Sequence, residues 1–231
     1  MVATTPAPAQ ATPLLILRGV QLQRQGRTIL TGINLWLQPG EAVLIGGSNG
    51  AGKTSLLRLM AGLTPASGGE IWMQGEQGRL SRPRWRRQIG YTTHETLLYQ
   101  HLTARQNLSL MAQLYYRSPG VIGSRVNEAL RGAGLLLWAD EPVQNLSRGM
   151  QQRLTLARIW MIPFSLLLLD EPLTALDSQG VDWFLRRLRQ RPEGQSVVMT
   201  TPYPGMSWER LASVADRCLW LEAGRLRDAL A

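Results

Sequence analysis

The sequence predicts an α/β protein built on a mostly parallel sheet, and three observations support this fold class. Residues 42–46 read "AVLIG" and residues 166–169 read "LLLL", and such continuous apolar runs are typical of strands covered on both faces. A helix is predicted at 53–63, where apolar residues up to Leu63 recur on one face. Polar residues follow each apolar run, at the strand ends where open α/β sheets bind ligands.

The loop between the first strand and the helix carries a phosphate-binding pattern. The pattern is G-x-x-x-x-G-K-[ST], and it is met by Gly47, Gly52, Lys53 and Thr54. Its glycines let backbone N–H groups turn toward phosphate oxygens at a helix N-terminus. Lys53 would reach the β- and γ-phosphates, and the Thr54 hydroxyl would coordinate Mg²⁺. The pattern predicts a P-loop NTPase with nucleotide contacts at Gly47, Ser48, Asn49, Gly50, Ala51, Gly52, Lys53, Thr54 and Ser55.

The basic residues of the chain are almost all arginine. Of 25 basic residues, Lys53 is the one lysine, and the net charge is +9. A charge of this size permits a nucleic-acid or membrane-surface partner, although an arginine skew reflects codon usage more than function. The lysine has a chemical reason, because a slim point charge can thread a phosphate loop that the planar fork of arginine fits poorly.

Two acidic residues end the second apolar run. Asp170 and Glu171 directly follow the four leucines, at the ligand-binding end of a predicted central strand. Two solvated acids at a strand end are the structural alternative, and the phosphate loop upstream argues against it. In the catalytic interpretation Asp170 holds the Mg²⁺ shell, and Glu171 polarises the attacking water as general base.

The N-terminal residues, the apolar runs and the single cysteine indicate how the protein is targeted and in which redox compartment it works. Residues 1–13 are uncharged and rich in Ala, Thr and Pro, which predicts a disordered tail. The first basic residue is Arg18 and no apolar run approaches the roughly 20 residues of a membrane span, so neither a secretory signal nor a spanning helix is predicted. Cys218 has no second cysteine with which to form an internal disulfide, and this fits a reducing compartment.

A third motif lies between the phosphate loop and the acidic pair. Residues 146–150 read Leu-Ser-Arg-Gly-Met, and with the following "QQRLTLAR" they resemble the signature of the ATP-binding subunits of ABC transporters. Residues 173–177, "LTALD", resemble the D-loop through which two such subunits touch. The resemblance implies a head-to-tail homodimer in which each signature contacts ATP held by the other subunit. The implied contacts are Ser147, Gly149 and Met150.

The same resemblance implies the architecture. A RecA-like P-loop core with an antiparallel β-layer would comprise residues 14–91 and 156–231, and a helical subdomain would be inserted at 92–155. From the residues themselves, Thr103 followed by Gln106 predicts a capping box at a helix start in this insertion. Ser147 is likewise predicted to cap the helix that follows it.

Finer features resemble one branch of the family. The segments "GSNGAGKTSLLRLMAGL", "HLTARQNL", "SRGMQQRLTLAR" and "LLLLDEPLTALDSQGV" are similar to CcmA, the ATP-binding subunits of the cytochrome c maturation system, often called the haem exporter. The resemblance implies ATP and Mg²⁺ as cofactors, CcmB-like and CcmC-like membrane partners, and a peripheral location on the cytoplasmic face of the inner membrane. No nucleic-acid partner is expected. Another small-substrate exporter ATPase is the alternative.

Three positions depart from the family pattern. The residue that would stack on adenine is Arg24, whose guanidinium plane can replace an aromatic ring. The glutamine of the Q-loop falls at His94, followed by Glu95, which is a further candidate Mg²⁺ ligand. The switch histidine is replaced by Pro202, which cannot hydrogen-bond a γ-phosphate. This last departure predicts that ATP binding and dimer closure persist while hydrolysis is slowed.

Two functions of other classes remain as alternatives. Pro202 favours an ATP-dependent binding switch that hardly hydrolyses its nucleotide, whereas the intact Asp170 and Glu171 argue against it. The charge of +9 prompts a DNA-associated ABC ATPase. Such proteins carry a long coiled-coil insertion or tandem nucleotide domains, and the sequence has neither.

Overall fold

Two β-sheets and a group of helices make up the part of the chain that the structure describes. The computed structural model describes residues 12–74, 83–93, 95–203 and 205–228, so most of the predicted tail and His94 lie outside it. The strands are β1 Leu15–Arg24, β2 Arg27–Leu37, β3 Ala42–Gly47, β4 Gly68–Met73, β5 Ile89–Thr92, β6 Leu166–Asp170, β7 Ser196–Pro202, β8 Arg217–Glu222 and β9 Arg225–Asp228. The α-helices are α1 Lys53–Met60, α2 Pro83–Arg86, α3 Ala104–Tyr115, α4 Pro119–Gly132, α5 Arg148–Trp160, α6 Ser178–Arg189 and α7 Met206–Ala212.

The smaller sheet is the predicted antiparallel layer. Its strand order is β2-β1-β4, and Leu15 of β1 pairs with Leu37 on one side and Met73 on the other. Leu15 and Leu17 are buried while Arg18 is exposed, which is the alternation of a strand with one face on the core. Local residue periodicity is therefore sufficient to form this layer.

The larger sheet has the order β5-β6-β7-β3-β8-β9 and is parallel except for β9, which pairs antiparallel with β8. Every residue of β3 and β6 is buried, as continuous apolar runs predict for strands covered on both faces. The predicted fold class, a P-loop NTPase with an added β-layer, is confirmed.

The four leucines of β6 divide between two cores. Leu167 and Leu169 pack with the helices α3 to α6 on one face of the sheet, and Leu166 and Leu168 pack with α1 and the antiparallel layer on the other. Because side chains alternate along a strand, the next residue, Asp170, lies on the same face as α1. The alternation thus aims the first carboxylate toward the helix that begins at the phosphate loop.

The structure corrects one predicted helix end and shows which helix contains the predicted subdomain boundary. The helix predicted to reach Leu63 ends at Met60, because Gly62 takes a left-handed φ of 67° and the chain turns away, leaving Leu63 54% exposed. The predicted subdomain boundary at 155 falls inside α5, which continues to Trp160. The predicted capping box is confirmed, since Thr103 accepts from the Gln106 N–H and the Gln106 side chain accepts from the Thr103 N–H.

No helix in the described ranges is long and apolar enough to cross a membrane.

The close approach of β5 to the loop before β6 gives a test of packing. A Cβ added at Gly90 would lie 2.6 Å from a ring carbon of Phe164 and 2.8 Å from a methyl group of Leu167. We therefore expect Gly90→Ala to lower the free energy of unfolding by about 1–3 kcal/mol in urea titrations. Gly123→Ala in α4 is the matched control, because a Cβ there meets nothing within 4 Å. Its stability should be unchanged or higher by up to about 1 kcal/mol, and equal losses in both variants would contradict the packing argument.

Candidate active site

The parallel register of three strands brings the sequence motifs to one edge of the sheet. Asp170 at the end of β6 pairs with Thr200 of β7, and Pro202 at the end of β7 pairs with Gly47 at the end of β3. The acidic pair, the position of the missing histidine and the start of the phosphate loop are therefore neighbours. The carboxyl ends of parallel strands are where such folds bind ligands.

The phosphate loop joins β3 to α1 through residues in left-handed conformations. Gly50 and Gly52 have φ values of 81° and 104°, which only glycine adopts readily. A Cβ at Gly52 would lie 3.0 Å from a methyl group of Leu30 and 3.4 Å from the carbonyl of Ile29, so β2 leaves no room for a side chain there. The first helical residue is Lys53, and the helix N-terminus therefore faces the loop.

Lys53 is folded back across the loop. Its side chain is 5% exposed, and Nζ donates to the carbonyl oxygens of Gly47 at 2.8 Å and Ser48 at 3.1 Å. Glu171 Oε1 lies 3.9 Å from the same nitrogen. Burial lowers the pKa of Lys53, and the charges of Glu171 and Asp170 act in the opposite direction. Lys53 therefore places one positive charge at the loop, between its carbonyl groups and the Glu171 carboxylate.

The acidic pair is tied to β7 by one hydroxyl. Asp170 is 1% exposed, and its Oδ1 accepts from Thr200 Oγ1 at 2.6 Å. The same hydroxyl oxygen accepts from the backbone N–H of Glu171 at 3.1 Å. Asp170 Oδ2 is buried and has no hydrogen-bond partner among the described residues. An uncompensated carboxylate oxygen facing the loop fits a hard cation such as Mg²⁺, which prefers oxygen ligands.

The charge of Asp170 also affects the pKa of a tyrosine on β5, Tyr91. Burial, and after it the charge of Asp170, raise the pKa of Tyr91 to about 12, while Arg58 acts in the opposite direction. Tyr91 therefore stays protonated at neutral pH and adds no charge to the site.

The predicted signature residues lie at the start of α5. Ser147 is exposed and caps this helix, with its Oγ accepting from the Met150 N–H at 3.3 Å, so the predicted cap is confirmed. A Cβ at Gly149 would lie 3.0 Å from the carbonyl oxygen of Ala175, which itself has a φ of 64°. The signature and the segment after the acidic pair are thus packed together within one chain.

The remaining predicted residues are Arg24, which ends β1 in the antiparallel layer, and His94 and Glu95, which follow β5 in the chain. Arg24 is exposed at the β1–β2 turn, opposite Arg27 in the strand register. Glu95 lies in a turn closed by Thr93, whose hydroxyl donates to the Glu95 carbonyl and accepts from its N–H. Its neighbour His94 lies outside the described residues.

Two contacts were not predicted from the sequence. Thr200 links both carboxylate residues to β7, and the buried Gln152 of α5 donates to the carbonyl of Pro172 at 3.1 Å. Two signals in the sequence could have identified Thr200 and Gln152. One is a polar residue at the end of an apolar strand, and the other is a polar residue on the buried face of a helix.

Comparisons with known proteins agree with this geometry. The profile of the ABC transporter family matches residues 30–174. The cytochrome c biogenesis ATP-binding export protein CcmA of Salmonella typhi is 40% identical over 195 residues, which cover 83% of this chain and 92% of that protein. CcmA of Escherichia coli O157:H7 is 39% identical over 192 residues, covering 83% and 90%.

Solved structures give the same result. A dimeric, post-hydrolysis state of the ATP-binding cassette MJ0796 bound to ADP and Pi has a TM-score of 0.82 at 26% identity, covering 94% of this chain and 99% of that chain. CbiO1 from Clostridium perfringens, part of the ABC transporter complex cbiONQ, has a TM-score of 0.80 at 26% identity and covers 93% and 87%. The resemblance found in the sequence is confirmed, and the chain is an ATP-binding, ATP-hydrolysing transporter subunit. It belongs to the ABC transporter family and, within that family, to the cytochrome c biogenesis ATP-binding export proteins.

Proposed function

We propose that the chain is the ATPase of a cytochrome c maturation complex that exports haem, and that it works as a homodimer beneath CcmB-like and CcmC-like membrane partners. The observation that carries this proposal is the 40% identity to CcmA proteins over 92% of their length. The location that follows is the cytoplasmic face of the inner membrane, with the subunit bound peripherally. The described residues contribute the nucleotide chemistry, and haem handling belongs to the partners.

Nucleotide binding centres on the phosphate loop. The N–H groups of residues 47–55 and the N-terminus of α1 receive the phosphates, where the helix dipole favours negative charge. Lys53 exchanges its contacts with the Gly47 and Ser48 carbonyls for contacts with the β- and γ-phosphate oxygens. At the other end of the nucleotide, the guanidinium of Arg24 stacks on the adenine ring.

Mg²⁺ would be held by Asp170 and Thr54. The partnerless Oδ2 of Asp170 supplies one oxygen, and the hydroxyl of Thr54 in the first turn of α1 supplies another. When bound, Mg²⁺ neutralises negative charge on the β- and γ-phosphates. Glu95 is a further candidate at the edge of this site.

Glu171 is the residue placed to activate water. Its carboxylate is 28% exposed, and the φ of 50° turns the residue out of the line of β6. As general base it accepts a proton from the attacking water, whose oxygen then bonds to the γ-phosphorus while the bond to the β-phosphate oxygen breaks.

A second copy of the chain completes the site. Ser147 is exposed at the start of α5, so its hydroxyl and the N–H group of Gly149 are available to a phosphate held by the other subunit. The Met150 N–H is engaged by the Ser147 cap and would contact the phosphate by leaving it. Head-to-tail pairing forms two such sites. Dimer closure is then driven by ATP, because each nucleotide is contacted from both subunits.

A cleft between α1, α3, β5 and α5 is the surface proposed for the membrane partner. It encloses about 340 Å³, and its apolar lining includes Ala61, Leu63, Tyr91, Leu97, Met111 and Tyr115. Leu97 is 60% exposed, and its carbonyl accepts from Arg158 of α5 at 2.8 Å. An exposed apolar lining held by the signature helix suits a partner whose movement follows dimer closure.

Pro202 supports a second candidate, a subunit that closes on ATP and hydrolyses it slowly. It pairs with Gly47 of the phosphate loop, so the residue at this point of β7 borders the γ-phosphate position and lacks any hydrogen-bonding side chain. Another small exporter ATPase is the third candidate, since the substrate is selected by the membrane partners.

The buried lysine gives the first test. Lys53→Met removes a charge-assisted contact to phosphate, so we expect fluorescent ATP analogues to bind about 10- to 100-fold more weakly. Arg58→Met is the matched control, because it removes one positive charge from the exposed side of the same helix. Its affinity should stay within about twofold of the unmodified chain. Equal losses in both variants would show that general charge, not the loop geometry, binds the nucleotide.

The proline gives the second test. Pro202→His restores a hydrogen-bonding side chain beside the phosphate loop, so steady-state ATPase activity should rise on the order of 10²-fold. Glu171→Gln should abolish hydrolysis and retain ATP binding. If Pro202→His leaves the rate unchanged while Glu171→Gln abolishes it, the histidine is dispensable and the slow-hydrolysis hypothesis is wrong.

The biological role is tested by deleting the gene from its host and measuring haem-stained c-type cytochromes. The unmodified chain should restore the c-type cytochromes, and the Glu171→Gln variant should not. The Leu97→Glu variant should also not restore them, although it keeps its ATPase activity. Leu137→Glu is the control, because Leu137 is 95% exposed and lies outside the cleft. Normal c-type cytochromes in the deletion strain would favour another exporter, and equal effects of the two glutamates would reject the cleft.

A further inference from the structure

The hydroxyl of Thr200 hydrogen-bonds to both catalytic carboxylate residues, Asp170 and Glu171. We infer that Thr200 is a positioning residue for ATP hydrolysis: it orients Asp170 toward the cation and holds Glu171 in its catalytic conformation. This inference rests on the roles proposed above for Asp170 and Glu171. It adds a fully buried residue on a neighbouring strand, which acts through the two carboxylate residues.

The two partners determine in which hydrogen bond the Thr200 hydroxyl donates and in which it accepts. An ionised carboxylate only accepts, so the single proton of Thr200 Oγ1 goes to Asp170 Oδ1, at 2.6 Å. The backbone N–H of Glu171 only donates, so it binds a lone pair of the same oxygen, at 3.1 Å. Thr200 is 0% exposed, and water therefore does not compete for either contact.

The first contact selects which oxygen of Asp170 faces the cation. With Oδ1 engaged by Thr200, the carboxylate cannot rotate freely, and Oδ2 is the oxygen that stays without a partner among the described residues. A short hydrogen bond to an ionised group is among the stronger contacts available to a side chain. The cation ligand is thereby set before any nucleotide arrives.

The second contact stabilises an unusual backbone. Glu171 has a φ of 50°, which residues with a Cβ adopt only where the surroundings hold them. Its N–H leaves the line of β6, and among the described residues it donates to the Thr200 oxygen. The direction of the Glu171 side chain therefore depends on a contact to the neighbouring strand.

No other residue at the end of β7 can make these two hydrogen bonds. Side chains alternate along a strand, so Pro202 is the next residue on the face of Thr200, and it has no hydrogen-bond donor. Thr201 between them lies on the opposite face. Thr200 is therefore the hydroxyl that links this strand to the acidic pair.

The test compares Thr200→Val, which keeps the shape and loses the hydroxyl, with Thr200→Ser, which keeps the hydroxyl. For the valine variant we expect kcat for ATP hydrolysis to fall about 10- to 100-fold and the Mg²⁺ concentration for half-maximal activity to rise. Binding of a fluorescent ATP analogue in EDTA should stay within about twofold of the unmodified chain, because the phosphate loop is untouched. Thr200→Ser should recover most of both losses.

Thr92→Val is the matched control. Thr92 is buried on β5, the strand on the other side of β6 from β7. It pairs with Leu169 of β6, whose side chain points to the face opposite Asp170. Its hydroxyl has no partner among the described residues. The same substitution there should leave kcat and the Mg²⁺ dependence unchanged.

The outcomes separate this inference from the proposed function. If Thr200→Val keeps kcat and the Mg²⁺ dependence while Glu171→Gln abolishes hydrolysis, the positioning role is wrong and the site stands. If Thr200→Ser behaves like the valine variant, the hydroxyl is not the cause and the inference also fails. Hydrolysis by Glu171→Gln at the normal rate would instead reject the proposed site. Should the valine variant not fold, Thr200→Cys decides, and normal kcat and Mg²⁺ dependence in it would overturn the inference.

Discussion

The parallel register of β6, β7 and β3 is the constraint on which the site depends. Each of these strands contributes one component at its carboxyl end: the acidic pair, Thr200, and the first glycine of the phosphate loop. The pairs Asp170–Thr200 and Gly47–Pro202 fix these components relative to one another. A slip of β7 by one residue would turn Thr200 to the opposite face and separate it from both carboxylate residues. Because all three strands are buried on both faces, such a slip would have to repack both cores, and this resists it.

Local signals in the sequence were sufficient for much of this arrangement. The phosphate loop, the acidic pair and the two helix caps each depend on residues a few positions apart, and the corresponding strand, loop and helix starts were found where they were predicted. The contacts of Thr200 and Gln152 could not be predicted in the same way. Their partners lie 30 and 20 residues away, so the contacts exist only once the strand register and the path of α5 are known.

The end of α1 shows a second limit of local reasoning. Apolar periodicity continued to Leu63, but the left-handed Gly62 ends the helix before that residue. Periodicity reports which residues can share a helix face, whereas the backbone freedom of a glycine decides where the helix stops. Leu63 therefore lines the apolar cleft proposed for the membrane partner instead of packing in the core.

Helix α5 connects the surfaces that the proposed cycle must couple. Ser147 lies at its first turn, Gln152 binds the Pro172 carbonyl beside the acidic pair, and Arg158 binds the Leu97 carbonyl at the cleft. In the proposed cycle, one continuous helix therefore joins the contact to a nucleotide held by the other subunit with the surface proposed for the membrane partner.

Pro202 changes the chemistry of the site without disturbing this framework. It ends β7, where a missing N–H costs no interior ladder bond, and the following Tyr203 packs against Trp220 at 4.6 Å and Trp208 at 5.1 Å between ring centres. Trp208 in turn lies under Gly46, where a Cβ would come within 2.5 Å of its ring. Aromatic packing therefore holds the strand end and the start of the phosphate loop in place. The proposed consequence is that the site, which lacks a hydrogen-bonding side chain at this position, keeps its affinity for ATP and cleaves ATP more slowly.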